Sequence, residues 1–157
     1  MKRLINLRAL LVAGAVATMF SASAFAQSGH FLDRTVSCTD IGTQASCSGK
    51  VAGLGGTTFQ ILVQAEGQAT VECTNPGGNV APGQTKAVTT LGDSGPLPTP
   101  QNGNYTFSLA TASPAAPAGS CPNDSWTGTV TDVSFTTATL QLFEDGTLSD
   151  TITVAVQ

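Results

Sequence analysis

A two-residue rhythm constrains this chain more than any other feature. Phe59, Ile61 and Val63, then Ala69, Val71 and Cys73, then Leu140 and Leu142 put apolar side chains at every second position, with Gln, Thr or Glu at every position between them except Leu62. Successive side chains of a strand point to opposite faces, so this spacing builds sheets with one buried face each. Gly- and Pro-rich connections run from Asn75 to Gly83, from Gly92 to Gly103 and from Ala112 to Asn123. They break the rhythm into short pieces joined by turns. Candidate strands cover roughly 34–40, 44–51, 57–64, 68–74, 84–91, 103–111, 125–135, 137–143 and 147–156, and no apolar period of 3.6 outlasts two turns beyond the first segment.

That first segment has a different character. Lys2, Arg3 and Arg8 precede an apolar run from Ala9 to Phe20, and Ala24-Phe25-Ala26 supplies small residues around a cleavage point. These are the parts of a secretion signal of bacterial type, residues 1–26, and processing is expected to leave Gln27 first. Residues 27–33 read as a flexible lead-in and 34–157 as a single domain. The processed chain has 157 − 26 = 131 residues, enough for one core. It keeps three basic residues, Arg34, Lys50 and Lys86, against ten acidic ones, 3 − 10 = −7. Such a balance argues against nucleic acid and anionic membrane as partners. No later apolar run is long enough to span a bilayer. The expected location is outside the cell, or the periplasm if the source has an outer membrane.

All four cysteines, Cys38, Cys47, Cys73 and Cys121, lie beyond the signal, where an oxidising compartment favours disulfides. Turn chemistry selects the pairing. A two-residue II′ turn at Gly42-Thr43 sets Ile41 opposite Gln44 and, counting outward, Cys38 opposite Cys47 in a close, non-hydrogen-bonded pair. Cys73 then pairs with Cys121. No tight Cys-x-x-Cys spacing is present and the only histidine, His30, lies in the lead-in, so neither a metal site nor a cofactor is expected.

Two further hairpins follow from the same reasoning. Loops Ala65-Glu66-Gly67 and Glu144-Asp145-Gly146, each ending in glycine, set Val63 opposite Ala69, Ile61 opposite Val71 and Leu142 opposite Leu148, with Ala138 opposite Ile152. Asp150 opposite Leu140 is the one misfit. Phe59, Ile61, Val63, Val71, Leu140, Leu142, Leu148, Ile152 and Val154 form the expected core.

Gly92-Asp93-Ser94-Gly95-Pro96 resembles the nucleophile segment of chymotrypsin-like serine proteases, which implies Ser94 as nucleophile and His30 as base. The segment lacks that family's second glycine, and 131 residues cannot make its two barrels, so a turn between strands is the expected reading. Leu97-Pro98-Thr99-Pro100 resembles a cell-wall sorting signal, without the hydrophobic tail one needs. Asp33, Asp40, Glu66, Glu72, Asp93, Asp124, Asp132, Glu144, Asp145 and Asp150 are scattered and read as solvated acids. The loop around Glu144 is too short for an EF-hand, although calcium bridging between loops stays open. Trp126 and Tyr105 alternate in phase with core residues and read as core instead of sugar-stacking platforms. Asn104 and Asn123 each begin an N-glycosylation tripeptide.

The expected fold is an all-β antiparallel sandwich of eight to nine strands with immunoglobulin-like Greek-key connections and two disulfides. The expected role is that of a secreted, non-catalytic structural or interaction protein with a protein or surface partner. A small-molecule or carbohydrate carrier is the alternative. In size, acidity and Ala/Gly/Thr richness the chain resembles the neocarzinostatin-type apoproteins, whose cysteine spacing it leaves after the first pair. A secreted protease inhibitor baited by the loop from Gly92 to Gly103 stands third.

Overall fold

The computed structural model describes residues 28–157, so the expected signal and the expected start at Gln27 lie outside the described residues. Ten strands follow in order: β1 (His30–Phe31), β2 (Ser37–Asp40), β3 (Ala45–Ala52), β4 (Thr58–Thr74), β5 (Val80–Pro82), β6 (Lys86–Asp93), β7 (Leu97–Pro98), β8 (Tyr105–Ala110), β9 (Thr127–Glu144) and β10 (Thr147–Ala155). A single 3-10 turn at Asp33–Thr35 joins β1 to β2. The strands form the expected two-sheet sandwich. In one sheet β3 is central, pairing with β1, β2 and β8; in the other, β4 pairs with β9, and β9 with β10.

The longest pairing was not expected. In place of a hairpin at Ala65-Glu66-Gly67, β4 runs unbroken for 17 residues, a span of about 55 Å. It pairs with β9 from Phe59↔Glu144 to Thr74↔Thr127, and its other edge holds β7, β6 and β5 in turn. Every odd position from Phe59 to Cys73 is buried, so one face of the strand meets the core throughout. Gly67 belongs to that row. A Cβ there would sit 2.7 Å from the Ser134 carbonyl, so glycine permits the close approach of the two backbones.

Strand β9 reaches 18 residues by shifting phase. Its register slips between Thr70 and Val71 and again between Glu66 and Gly67, leaving Thr131 and Thr136 as extra residues. Each bulge changes which parity faces inward: Val133 and Phe135 are buried before Thr136, and Ala138, Leu140, Leu142 and Glu144 after it. The expected strands 125–135 and 137–143 are thus one strand, interrupted in phase but not in chain.

The Gly42-Thr43 hairpin has the expected register, with Cys38 opposite Cys47 and Gly42 at φ +91°. Both disulfides have the expected partners, Cys38–Cys47 and Cys73–Cys121. The Glu144-Asp145-Gly146 loop differs. Thr147 pairs with Glu144, so Asp145 and Gly146 alone turn the chain, at φ +47° and +80°. A slip between Leu148 and Asp150 then sets Asp150 opposite Leu142 and Ile152 opposite Leu140. Leu148, expected in the core, lies outside it at 50% exposure, and Ile152 and Val154 are only partly buried.

Both seams between the sheets are bonded. After β10, Val156 bridges to Cys38, and the Asp40 N–H donates to the Gln157 carbonyl at 2.8 Å. Across the opposite seam the Ala112 N–H donates to the Leu91 carbonyl at 2.8 Å, and buried Thr90 donates to the Thr111 hydroxyl at 3.0 Å. The lead-in also docks: Phe31 is 2% exposed and packs edge-on against Phe107 at 5.9 Å. At the far end of the β4–β9 ribbon, segment 112–126 is fastened by Cys73–Cys121 and by the Gln84 N–H on the Ser120 carbonyl at 2.8 Å.

Candidate functional site

Among the acids, Glu144 departs most from the solvated reading. The second bulge turns it inward, and its side chain is fully buried. Its carboxylate accepts from the N–H of Gly55 at 2.7 Å, the hydroxyl of Ser149 at 2.8 Å, the N–H of Gly29 at 2.9 Å and the N–H of Gly56 at 3.4 Å. Burial pushes this carboxyl up, and the donors from Gly55, Ser149, Gly29 and Gly56 together outweigh it, holding the group below its ordinary value. Gly29 lets the backbone approach closely here, because a Cβ would come within 2.8 Å of Glu144 Oε2 and the carboxylate would have to shift. The neighbouring Asp145 is exposed and accepts from the N–H groups and hydroxyls of Thr58 and Thr57, which hold its carboxyl below the ordinary value.

Other acids also serve as backbone acceptors. Asp40 takes the N–H of Gly42 and of Phe135, and the misfit Asp150 takes the N–H of Phe31 at 2.8 Å. Asp33, Glu66, Glu72, Asp124 and Asp132 are exposed, as expected. Glu66 stands on the outer face of β4, not in a turn.

Because the Glu144 cradle consists of donors, Glu144→Gln is expected to turn one amide N–H2 against another N–H and to cost roughly 1–3 kcal/mol in urea unfolding. The pH dependence follows from the sign of the shift. With its folded value below its unfolded one, Glu144 contributes stability above the ordinary value of 4.5, and that contribution disappears as pH falls through the folded value. The variant should therefore lose less stability than the wild type on acidification below about pH 4.5. Parallel acid-unfolding curves would remove Glu144 from the account.

The protease-like segment begins as the end of β6, with Gly92 and Asp93 paired to β4, and continues as the short connection to β7. Ser94 Oγ accepts from the Ile61 N–H at 2.9 Å and donates to the Gly95 carbonyl, while Asp93 accepts from Gln60 and from the Gly95 N–H. His30 bonds through Nδ1 to the Ser28 carbonyl at 3.0 Å, on β1 of the other sheet. Serine and histidine are not brought together. The loop from Gly92 to Gly103 does not project as bait either, because Leu97–Pro98 pairs with β4 and the Thr99 N–H donates to the Thr57 carbonyl. Asn104 and Asn123 are exposed. Among the described residues, no three of His, Cys, Asp and Glu gather to hold a metal ion.

The aromatic residues divide. Tyr105 packs on Phe59 with ring centroids 4.9 Å apart, as a core residue would. Trp126 touches the core on one side and on the other lines a groove of about 410 Å³ whose wall includes Ala116, Pro117, Asn123, Asp124 and Gly128. The walls are held from within the loop. Ser120 Oγ donates to the Pro117 carbonyl at 2.7 Å, and Asn123 Oδ1 accepts from the N–H and hydroxyl of Ser125 at 3.0 and 2.6 Å. Gly128 makes room for the loop, since a Cβ there would lie 2.9 Å from that of Ala116. Periodicity put Trp126, just before β9, in phase with Gly128 and Val130 but did not give the groove, which needs the disulfide to fold segment 112–126 back over that strand.

No protein-family model and no curated protein sequence matches this chain. Two solved structures of a glycosyl hydrolase family 2 member from Bacteroides cellulosilyticus are similar to it at 12% identity and a TM-score of 0.33. The match covers 82% of this chain and 15% and 14% of theirs. A likeness this distant carries no argument about activity.

Proposed function

We propose that this chain is a secreted, non-catalytic protein that works outside the cell by binding a protein or surface partner. The observation that supports the reading most is how its acids are used. Glu144, Asp145, Asp40 and Asp150 are engaged by backbone N–H groups of this same chain, a use that suits architecture better than proton transfer, and in Glu144 and Asp145 those donors hold the carboxyl below its ordinary value. Ser94 is likewise tied to its own backbone neighbours. Two disulfides fit an oxidising location, and no described helix is long and apolar enough to cross a membrane. Against a carrier that holds its ligand between the sheets stands the filling of that space by Phe59, Ile61, Val63, Leu140 and Leu142, all 1% exposed or less.

Secreted protein should show no turnover of peptide, ester or glycoside substrates. If any hydrolysis is found, Ser94→Ala and His30→Ala are expected to leave it unchanged. Loss of the activity in both variants, with the circular dichroism spectrum of the wild type retained, would overturn the proposal.

A further inference from the structure

We infer that the groove beside Trp126 is a binding site for a neutral saccharide, which gives the proposed binding role its ligand class and rests on that reading. A sugar ring offers a patch of C–H groups flanked by hydroxyls that both donate and accept. The groove offers the complement of each. The Trp126 ring is half-buried in its wall and supplies an aromatic surface, on which C–H groups pack well. Asp124 is exposed beside it and can only accept, while Asn123 has its Oδ1 occupied by Ser125 and retains the amide N–H2 as donor. One hydroxyl can donate to the first and accept from the second.

Size and charge narrow the choice. About 410 Å³ falls in the range of small-ligand sites and takes one or two sugar rings. None of the basic residues Arg34, Lys50 and Lys86 lines the groove, so a phosphate or carboxylate ligand would meet Asp124 without a counter-charge. A wholly apolar ligand would strip water from that carboxylate and return no hydrogen bond. An organic cation would find one ring, where recognition by cation–π contact uses a cage of several. The site is also pre-organised, because Cys73–Cys121 and the Ser120 and Asn123 turns fix the wall before any ligand arrives.

Trp126 is the sole tryptophan, so its fluorescence reports on this groove directly. The secreted protein would be titrated with glucose, galactose, mannose, N-acetylglucosamine and their short oligomers. A saturable change in emission is expected with at least one of them, and Asp124→Asn, an exposed substitution, should weaken that binding tenfold or more. Trp126→Ala, followed by calorimetry, should abolish it. The inference is overturned if no saccharide gives a saturable response, if Asp124→Asn binds as the wild type does, or if tetramethylammonium responds where the sugars do not. Release of new reducing ends from a bound oligomer would instead overturn the non-catalytic reading and leave the site standing.

Discussion

Replacing Cys73 and Cys121 together by alanine is expected to cost about 4 kcal/mol, the chain-entropy value for a ring of this size. The two cysteines lie 48 residues apart, and in the native protein their bond fastens segment 112–126 to the end of the β4–β9 ribbon. A loss of that size is a large part of the 5 to 15 kcal/mol that holds an ordinary domain, and should lower the thermal midpoint by roughly 10 °C or more. The same change made at Cys38 and Cys47, only 9 residues apart, should cost about 2.7 kcal/mol at most, since the hairpin already closes that ring. Trp126 emission supplies a local readout, because freeing the loop exposes the ring to water. Equal losses for the two pairs, with unchanged emission, would show that the long bond does not hold the loop.

Ile61→Ala and Leu142→Ala should each cost about 2 to 5 kcal/mol, as truncations of fully buried aliphatic side chains do. Both residues are 0% exposed and they stand directly opposite each other across β4 and β9. The double variant should therefore lose less than the sum of the two, because the second truncation enlarges a cavity already made. Gln60→Ala and Gln141→Ala, on the outer face, should stay within about 1 kcal/mol of wild type. Chemical denaturation measures all five. If a glutamine proved as sensitive as its neighbour, the outer face of the ribbon would also be covered, which a strand packed on a partner chain would explain.

The residues that misled the sequence reading did so for a definable reason. A strand that turns back through a three-residue loop keeps its odd residues inward on both sides of the turn, and so does a strand that never turns. Phe59 to Val63 and Ala69 to Cys73 therefore look alike in a hairpin and in a continuous β4, and only the partner strand, far along the chain, decides between them. At Thr136 the sequence did carry the signal, as a change of phase between Phe135 and Ala138. A bulge and a chain break produce the same change of phase. At Glu144 the reading placed the residue inside a three-residue loop with Asp145 and Gly146 and overlooked that Glu144 continues the even row of Ala138, Leu140 and Leu142. Its donors at Gly29 and Gly55 come from segments 115 and 89 residues away, which no local pattern can bring together. The Cys38–Cys47 pairing was legible because everything that fixes it, a glycine at φ +91° and a few residues on each side, is local.

The β4–β9 ribbon also governs how quickly this chain can find its structure. Its partners are separated by between 53 (127 − 74) and 85 (144 − 59) residues, so the largest block of pairing in the molecule is non-local. Closing loops of that length costs entropy before any contact repays it, which places such topologies among the millisecond-to-second folders. Until β9 arrives, β4 carries its alternating apolar row with one edge unpaired. Oxidation of Cys73 with Cys121 shortens the search, because Thr127, where the ribbon begins, then lies six residues from a covalent tether to β4. Reduced chains should consequently fold more slowly than oxidised ones, and spend longer in the state whose bare strand edges invite other chains.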